Sequence, residues 1–161
     1  MSVPPAQQPL VTVELRGLPV AVQVRATEHM QDLQREFVLI ADGLQHSQDA
    51  PALPRRLLDL VDALERQYGG FTEEQEDQLD EAHRDGLPTL DLTFRVPADV
   101  TDAAVALGTL LDEADAFCRE GRHLLTLATP PDLVAYRRWY LRQFVDQIAG
   151  HPPIPWDGPL D

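Results

Sequence analysis

Two periods of apolar residues take turns along this chain, and they confine it to a fold in which strands and helices share a core. Leu90, Leu92, Phe94 and Val96 alternate with polar residues up to Pro97, the period-two pattern of a half-buried strand. Directly afterwards Val100, Ala103, Ala104, Leu107, Leu110, Leu111, Ala114 and Phe117 recur at helical spacing. That stripe predicts a helix from about Asp99 to Glu120, closed by Gly121. Alternation followed at once by a helical stripe is the signature of an α+β chain.

The same change of period occurs earlier. Val11, Val13 and Leu15 alternate, Arg16-Gly17-Leu18-Pro19 interrupts, and Val20, Val22 and Val24 resume the alternation. The natural reading is two strands paired as a hairpin. Thr27 then reads as an N-cap for a helix of about four turns carrying Met30, Leu33, Phe37, Ile40, Ala41 and Leu44. A second stripe, Leu57, Leu60, Val61, Leu64 and Tyr68, starts from Pro54 and stops at Gly69-Gly70. Thr72 with Gln75 three residues later forms a capping box for a short acidic helix ending near Arg84.

Leu124 to Ala128 reads as a strand or an extended linker. Thr129-Pro130-Pro131-Asp132 is a helix start, with a capping hydroxyl, prolines in the first turn and an acid near the positive end of the dipole. The last helix runs to about Ala149 and presents Leu133, Tyr136, Tyr140, Phe144, Val145 and Ile148 to the core. The expected fold is therefore α+β, a small sheet of short strands covered by about five helices. Gly17-Leu18-Pro19 and Gly86-Leu87-Pro88 each head a strand and two helices, which suggests pseudo-duplicated β-α-α halves over 10–84 and 85–150. These make one domain over 10–150, with a flexible tail at 1–9 and a Pro-rich tail at 151–161.

Composition limits the partners. The chain has 161 residues and a formal charge of −14, with 27 acidic residues against 13 basic ones, all arginine. Such a field repels phosphate backbones and anionic membrane surfaces, so neither nucleic acid nor membrane is expected. A basic protein partner remains allowed. Cys118 is the one cysteine, so no internal disulfide forms and no oxidising compartment is needed. Met1 to Pro9 has neither a basic region nor an apolar run, and no stretch is apolar over the roughly 20 residues of a bilayer span. The expectation is a soluble, cytoplasmic protein.

Chemistry is sparse in the residue pattern. His29, His46, His83, His123 and His151 form no pair at helical ligand spacing, so no metal site is expected. Cys118 lies near a helix C-terminus, where the dipole raises a thiol pKa, and reads as a structural thiol. Asp112, Glu113 and Asp115 form an acidic knot that suits salt bridges to Arg137, Arg138 or Arg142 better than acid–base chemistry. No glycine-rich phosphate loop is present, and no cofactor is expected. Arg138 and Arg142 lie one helical turn apart, flanked by Trp139 and approached by Trp156. Arginine and tryptophan are enriched at interface hot spots, which makes these four a candidate partner-binding surface.

The chain resembles the accessory domain that accompanies actinobacterial regulators of the anti-sigma-factor and serine-kinase-like ATP-binding type. The resemblance rests on Gly17-Leu18-Pro19-Val20, on Glu28-His29 leading to Leu33 and Arg35-Glu36-Phe37, on Asp91 to Pro97, and on the block from Leu111 to Trp156. It implies a role in partner switching, bound to another protein (a regulator, a phosphatase or an ATP-binding anti-sigma protein) or to itself. The ATP-binding half of such regulators is absent, so kinase activity does not carry over.

The leading expectation is thus a non-enzymatic regulatory module in bacterial signalling. The alternative is a small-molecule sensor, its ligand lying between sheet and helices near Cys118, His123 and Tyr136. An enzyme is the least expected reading, because no acid–base–nucleophile set is visible.

Overall fold

The computed structural model describes residues 8–43, 52–121 and 127–161. The chain is α+β. Strand β1 (Leu10–Pro19) runs straight into helix α1 (Val20–Gly43), followed by α2 (Leu53–Tyr68) and α3 (Glu73–Arg84). Strand β2 (Thr89–Pro97) then leads to α4 (Val100–Glu120) and α5 (Pro131–Ile148). Among the described residues these make one two-stranded antiparallel sheet and five α-helices.

The sheet is one-sided, as its alternation dictates. Val13, Leu15, Leu18, Leu92, Phe94 and Val96 are buried and pack against Ala104 of α4 and Phe144 of α5. The rings of Phe94 and Phe144 meet edge to face at 5.2 Å. Thr12, Arg16, Asp91, Thr93 and Arg95 point to solvent. A second core joins α1, α2 and α4 through Leu33, Phe37, Leu57, Leu110, Leu111, Ala114 and Cys118.

A two-stranded sheet has only outer edges, and here a helix glutamine covers each of them. Glu14 and Thr93 stand opposite one another in the register. The Gln147 side chain accepts from Glu14 N and donates to Glu14 O, both at 2.8 Å. On the other edge Gln75 Nε2 donates to Thr93 O at 2.7 Å. Gln75 therefore does not reach back to complete a capping box. Thr72 sits at the N-cap position of α3, but its hydroxyl bonds Gly69 O.

The expected hairpin is not formed. Val20 to Val24 are the first turns of α1, and Leu10–Pro19 pairs with β2 instead. Val20 and Val22 are both buried, although two positions apart on a helix lie on roughly opposite sides. Val22 packs on Leu133 and Tyr136, while Val20 faces the groove toward α3. The helix start is enclosed on both sides, and that imitates strand alternation. Thr27 is accordingly no N-cap; its hydroxyl bonds back to Gln23 O inside α1 at 3.0 Å.

The two Gly-Leu-Pro triplets do different work. Gly17 (φ 66°) sits in a bulge between Leu15 and Leu18, where its N–H donates to Asp91 Oδ1 at 2.7 Å. Gly86 (φ 68°) closes α3, with Leu87 N bonded to Ala82 O at 3.0 Å. One triplet ends a strand and the other precedes one. Of Leu124 to Ala128, residues 124–126 lie outside the described residues, and Leu127 and Ala128 belong to no strand. Residues 1–7 of the expected flexible tail also lie outside them.

The Pro-rich tail is docked. Trp156 N donates to Arg16 O at the bulge (3.0 Å), and Ile154 N donates to Gln143 Oε1 at 2.9 Å.

Candidate ligand pocket

The more apolar of two sizeable openings among the described residues lies among helices. It is an open cavity of about 400 Å3 lined by α1, α4 and α5. Helical spacing on α1 turns Gln23, Ala26, Met30 and Leu33 toward it. Leu107 and Leu111 of α4, with Leu133, Tyr140 and Leu141 of α5, complete the apolar wall.

One end is polar. Asp115, 3% exposed, accepts from Thr129 N at 3.0 Å, Thr129 Oγ1 at 2.6 Å and Arg137 Nη2 at 3.0 Å. Arg137 also bonds Asp112 at 2.7 Å, so one guanidinium serves two carboxylates. Thr129 Oγ1 lies 3.2 Å from His29 Nε2. The single Thr129 hydroxyl proton goes to the Asp115 carboxylate, 2.6 Å away. Burial holds the His29 pKa below its ordinary value, against the pull of Asp115 and Asp32 and with the help of Arg137.

This order of protons differs from that of an acyl-transfer nucleophile. An acyl-transfer nucleophile gives its proton to an imidazole. Thr129 gives its proton to a carboxylate already tied by further donors. Thr129 is also not the helix cap that its sequence suggests: Pro130 occupies the N-cap position of α5, and the hydroxyl is spent on Asp115.

The floor is a second polar pair. Tyr136 OH donates to Gln23 Oε1, and Gln23 Nε2 donates to Thr27 Oγ1 at 3.3 Å. Burial pushes the Tyr136 phenol far up, with a smaller push from Tyr140. The Tyr140 phenol is raised to about 12 by burial, then by Glu76. Trp139 and Trp156 back Tyr136 at ring distances of 5.9 and 5.6 Å, and meet each other at 5.5 Å.

The structure divides the residues that the sequence singled out. Tyr136 lines the cavity. Cys118 does not: it is fully buried in the α1–α2–α4 core, where burial first and Asp115 second push its thiol to about 11. His123 lies outside the described residues. Of the four surface residues, Trp139 donates to Ile154 O at 2.8 Å and Trp156 to Pro159 O at 2.9 Å. Both rings fasten the tail, which leaves Arg138 and Arg142 as the exposed pair. The acidic knot does form salt bridges. Asp112 and Asp115 meet Arg137, Asp112 lies 3.8 Å from Arg138, and Glu113 turns to Arg56 at 3.3 Å.

Sequence reasoning missed His29, Gln23 and Thr129 as pocket residues. His29 with Met30 and Leu33 on one helical face was the available signal, one polar group beside two apolar ones.

Among the described residues no group of three or more His, Cys, Asp or Glu side chains could hold a metal ion. No described helix is long and apolar enough to cross a membrane. Comparison with protein-family models, with curated proteins and with solved structures finds no match to this chain.

Proposed function

We propose that the chain is a ligand-binding regulatory domain whose α1–α4–α5 cavity takes a small, uncharged, largely apolar molecule with one polar head. The observation that carries this reading is the joining of an apolar cavity of about 400 Å3 to a preformed Asp115–Thr129–His29–Arg137 network. Pockets of this size and make-up, apolar with a few fixed polar groups, are the usual form of small-molecule sites. Arg137 is already neutralised by two carboxylates, which argues against an anionic ligand. The resemblance to accessory domains of anti-sigma regulators gives the reading its setting, and the lone cysteine agrees with a cytoplasmic one.

Trp139 and Trp156 make the test direct, because both rings lean on Tyr136 of the cavity wall. A panel of neutral amphipathic molecules is titrated against tryptophan fluorescence and thermal stability. A ligand at 100 times its Kd adds about 2.7 kcal/mol. Ala26→Phe, which fills the cavity, abolishes the response. A panel without any saturable response, or a response that survives Ala26→Phe, sinks the reading.

A second reading, capture of a partner protein, is supported by the exposed Arg138 and Arg142 on an otherwise acidic molecule. Arg138→Glu with Arg142→Glu then abolishes capture of an acidic partner at unchanged fold. Unchanged capture removes that surface.

A further inference from the structure

The seam between α4 and α5 opens to the surface as a notch of about 230 Å3. Val105 and Gly108 of α4, with Leu141 and Val145 of α5, form its apolar part, and Val105 is 54% exposed. Gly108 deepens the notch. A Cβ at this position would meet Leu141 Cδ1 at 3.4 Å, an ordinary contact, so the packing of α4 on α5 leaves room for alanine. Glycine inside a helix is less stable than alanine, and here it keeps that space open.

Exposed arginines on a helix are ordinarily a solvated face. What separates this notch from that case is its local charge. Arg137, Arg138 and Arg142 line it against the one carboxylate of Asp112, on a chain where acids outnumber bases 27 to 13. Asp112 is already held by Arg137 at 2.7 Å and stands 3.8 Å from Arg138. Arg138 is 64% exposed, and the exposed Arg142 makes no ion pair among the described residues.

Resting on the partner-capture reading of Arg138 and Arg142, we propose that this notch docks one amphipathic helix of a partner protein. That helix sets an apolar side chain over Gly108 and carries two carboxylates one turn apart, one for each arginine. The notch is smaller than the roughly 300–1,000 Å3 of small-molecule pockets. Its lining instead runs from Ala104 to Asp112 on α4 and from Arg137 to Val145 on α5, about 12 Å along each helix. A seam between two helices receives the side-chain ridge of a third. Arg138 and Arg142 stand about 6 Å apart along α5, the rise between carboxylates at i and i+4 of a helix laid against it. The overall charge of −14 opposes a strongly acidic partner, so two carboxylates on an otherwise neutral helix fit best.

The test uses a fluorescein-labelled helical peptide of about 15 residues, with a leucine stripe and two glutamates at i and i+4, titrated with the full chain and read by anisotropy. Saturable binding is expected. It weakens about tenfold when both peptide glutamates become glutamine, or with Arg138→Gln and Arg142→Gln in the chain, and the two changes together cost little more than either alone. Gly108→Leu fills the notch, and Val105→Gln, at an exposed position, removes part of its apolar wall; both weaken binding. None of these four residues lines the α1–α4–α5 cavity, whereas Arg137 and Leu141 do. Binding that needs the arginines but survives Gly108→Leu and Val105→Gln leaves partner capture standing and overturns the notch. Binding that ignores the arginine variant, equal binding of both peptides, or none at all overturns the proposal. Self-association in sedimentation that Arg138→Gln with Arg142→Gln abolishes gives the surface to a second copy and overturns it too.

Discussion

Gln147 of α5 holds Glu14 of β1 by both ends of its side-chain amide, donating to its carbonyl and accepting from its N–H. The amide thus behaves as one residue of a third strand. An open edge is a template for pairing with another chain, and this one is closed by a side chain.

Gln147→Ala loses three part-buried hydrogen bonds, two to Glu14 and one to Gln143 Oε1. At about 0.5–1.5 kcal/mol each, stability falls by about 1.5–4.5 kcal/mol. Urea unfolding checks the value, and light scattering near the midpoint checks for edge pairing. An unchanged midpoint would show that water replaces the amide without loss.

Asp115 is the most exacting polar position of the core. Asp115→Ala strips a buried carboxylate from Arg137 and from both Thr129 donors, and costs about 3–5 kcal/mol. Thr129→Val leaves the Arg137 pair in place and costs about 1–3 kcal/mol. The ordering of the two, read by denaturant unfolding, is the check. A smaller loss for Asp115→Ala than for Thr129→Val contradicts the network.

His29 links stability to pH. Its folded pKa lies below the ordinary 6.5, so folding favours the neutral ring. Between the two values the unfolded chain binds more protons, and stability rises with pH. The contribution is whole above the unfolded pKa and is lost as pH falls through the folded one. In His29→Gln this part of the stability profile flattens; a wild-type slope retained in the variant assigns the effect elsewhere.

Cys118 is both inaccessible and hard to ionise, with its thiol pushed to about 11. A disulfide reagent at pH 8 therefore modifies the native chain far more slowly than the chain in denaturant. Comparable rates in the two states would mean that the α1–α2–α4 core opens readily.

Gly17 holds φ 66° where the bulge turns, a conformation that costs an L-residue with a side chain roughly 1–2 kcal/mol. Gly17→Ala destabilises by about that amount, and Gly17→Asn by less, measured by thermal unfolding. A neutral alanine variant would show that the bulge relaxes.

The helices α2 to α5 and strand β2 were legible because each buries one face, and one buried face writes one clean period. Gly69 and Gly121 marked helix ends, and both sit at the C-caps of their helices. The first turns of α1 were not legible, because Val20 and Val22 are covered from two sides and burial on both sides erases the helical period. The polar network was half legible. Asp115 and Arg137 could be paired from helical spacing, but Thr129 joins them through a loop, and no local pattern fixes where a loop returns. The two tryptophans lie near one another, as the sequence suggested, with rings 5.5 Å apart. Their N–H groups find backbone carbonyls within the tail itself.

The docked tail bears on how the chain is made. During synthesis β1 emerges early, yet everything that seals it comes later: β2, then Gln147, 133 residues after Glu14, then the Trp156 amide on the Arg16 carbonyl. A ribosome-bound fragment that stops short of α5 carries a strand whose edge has no cover, and such fragments are prone to find one in a neighbour. The strand that anchors this sheet is made well before the side chains that close it, so the sheet is complete only once α5 and the segment to Trp156 have followed.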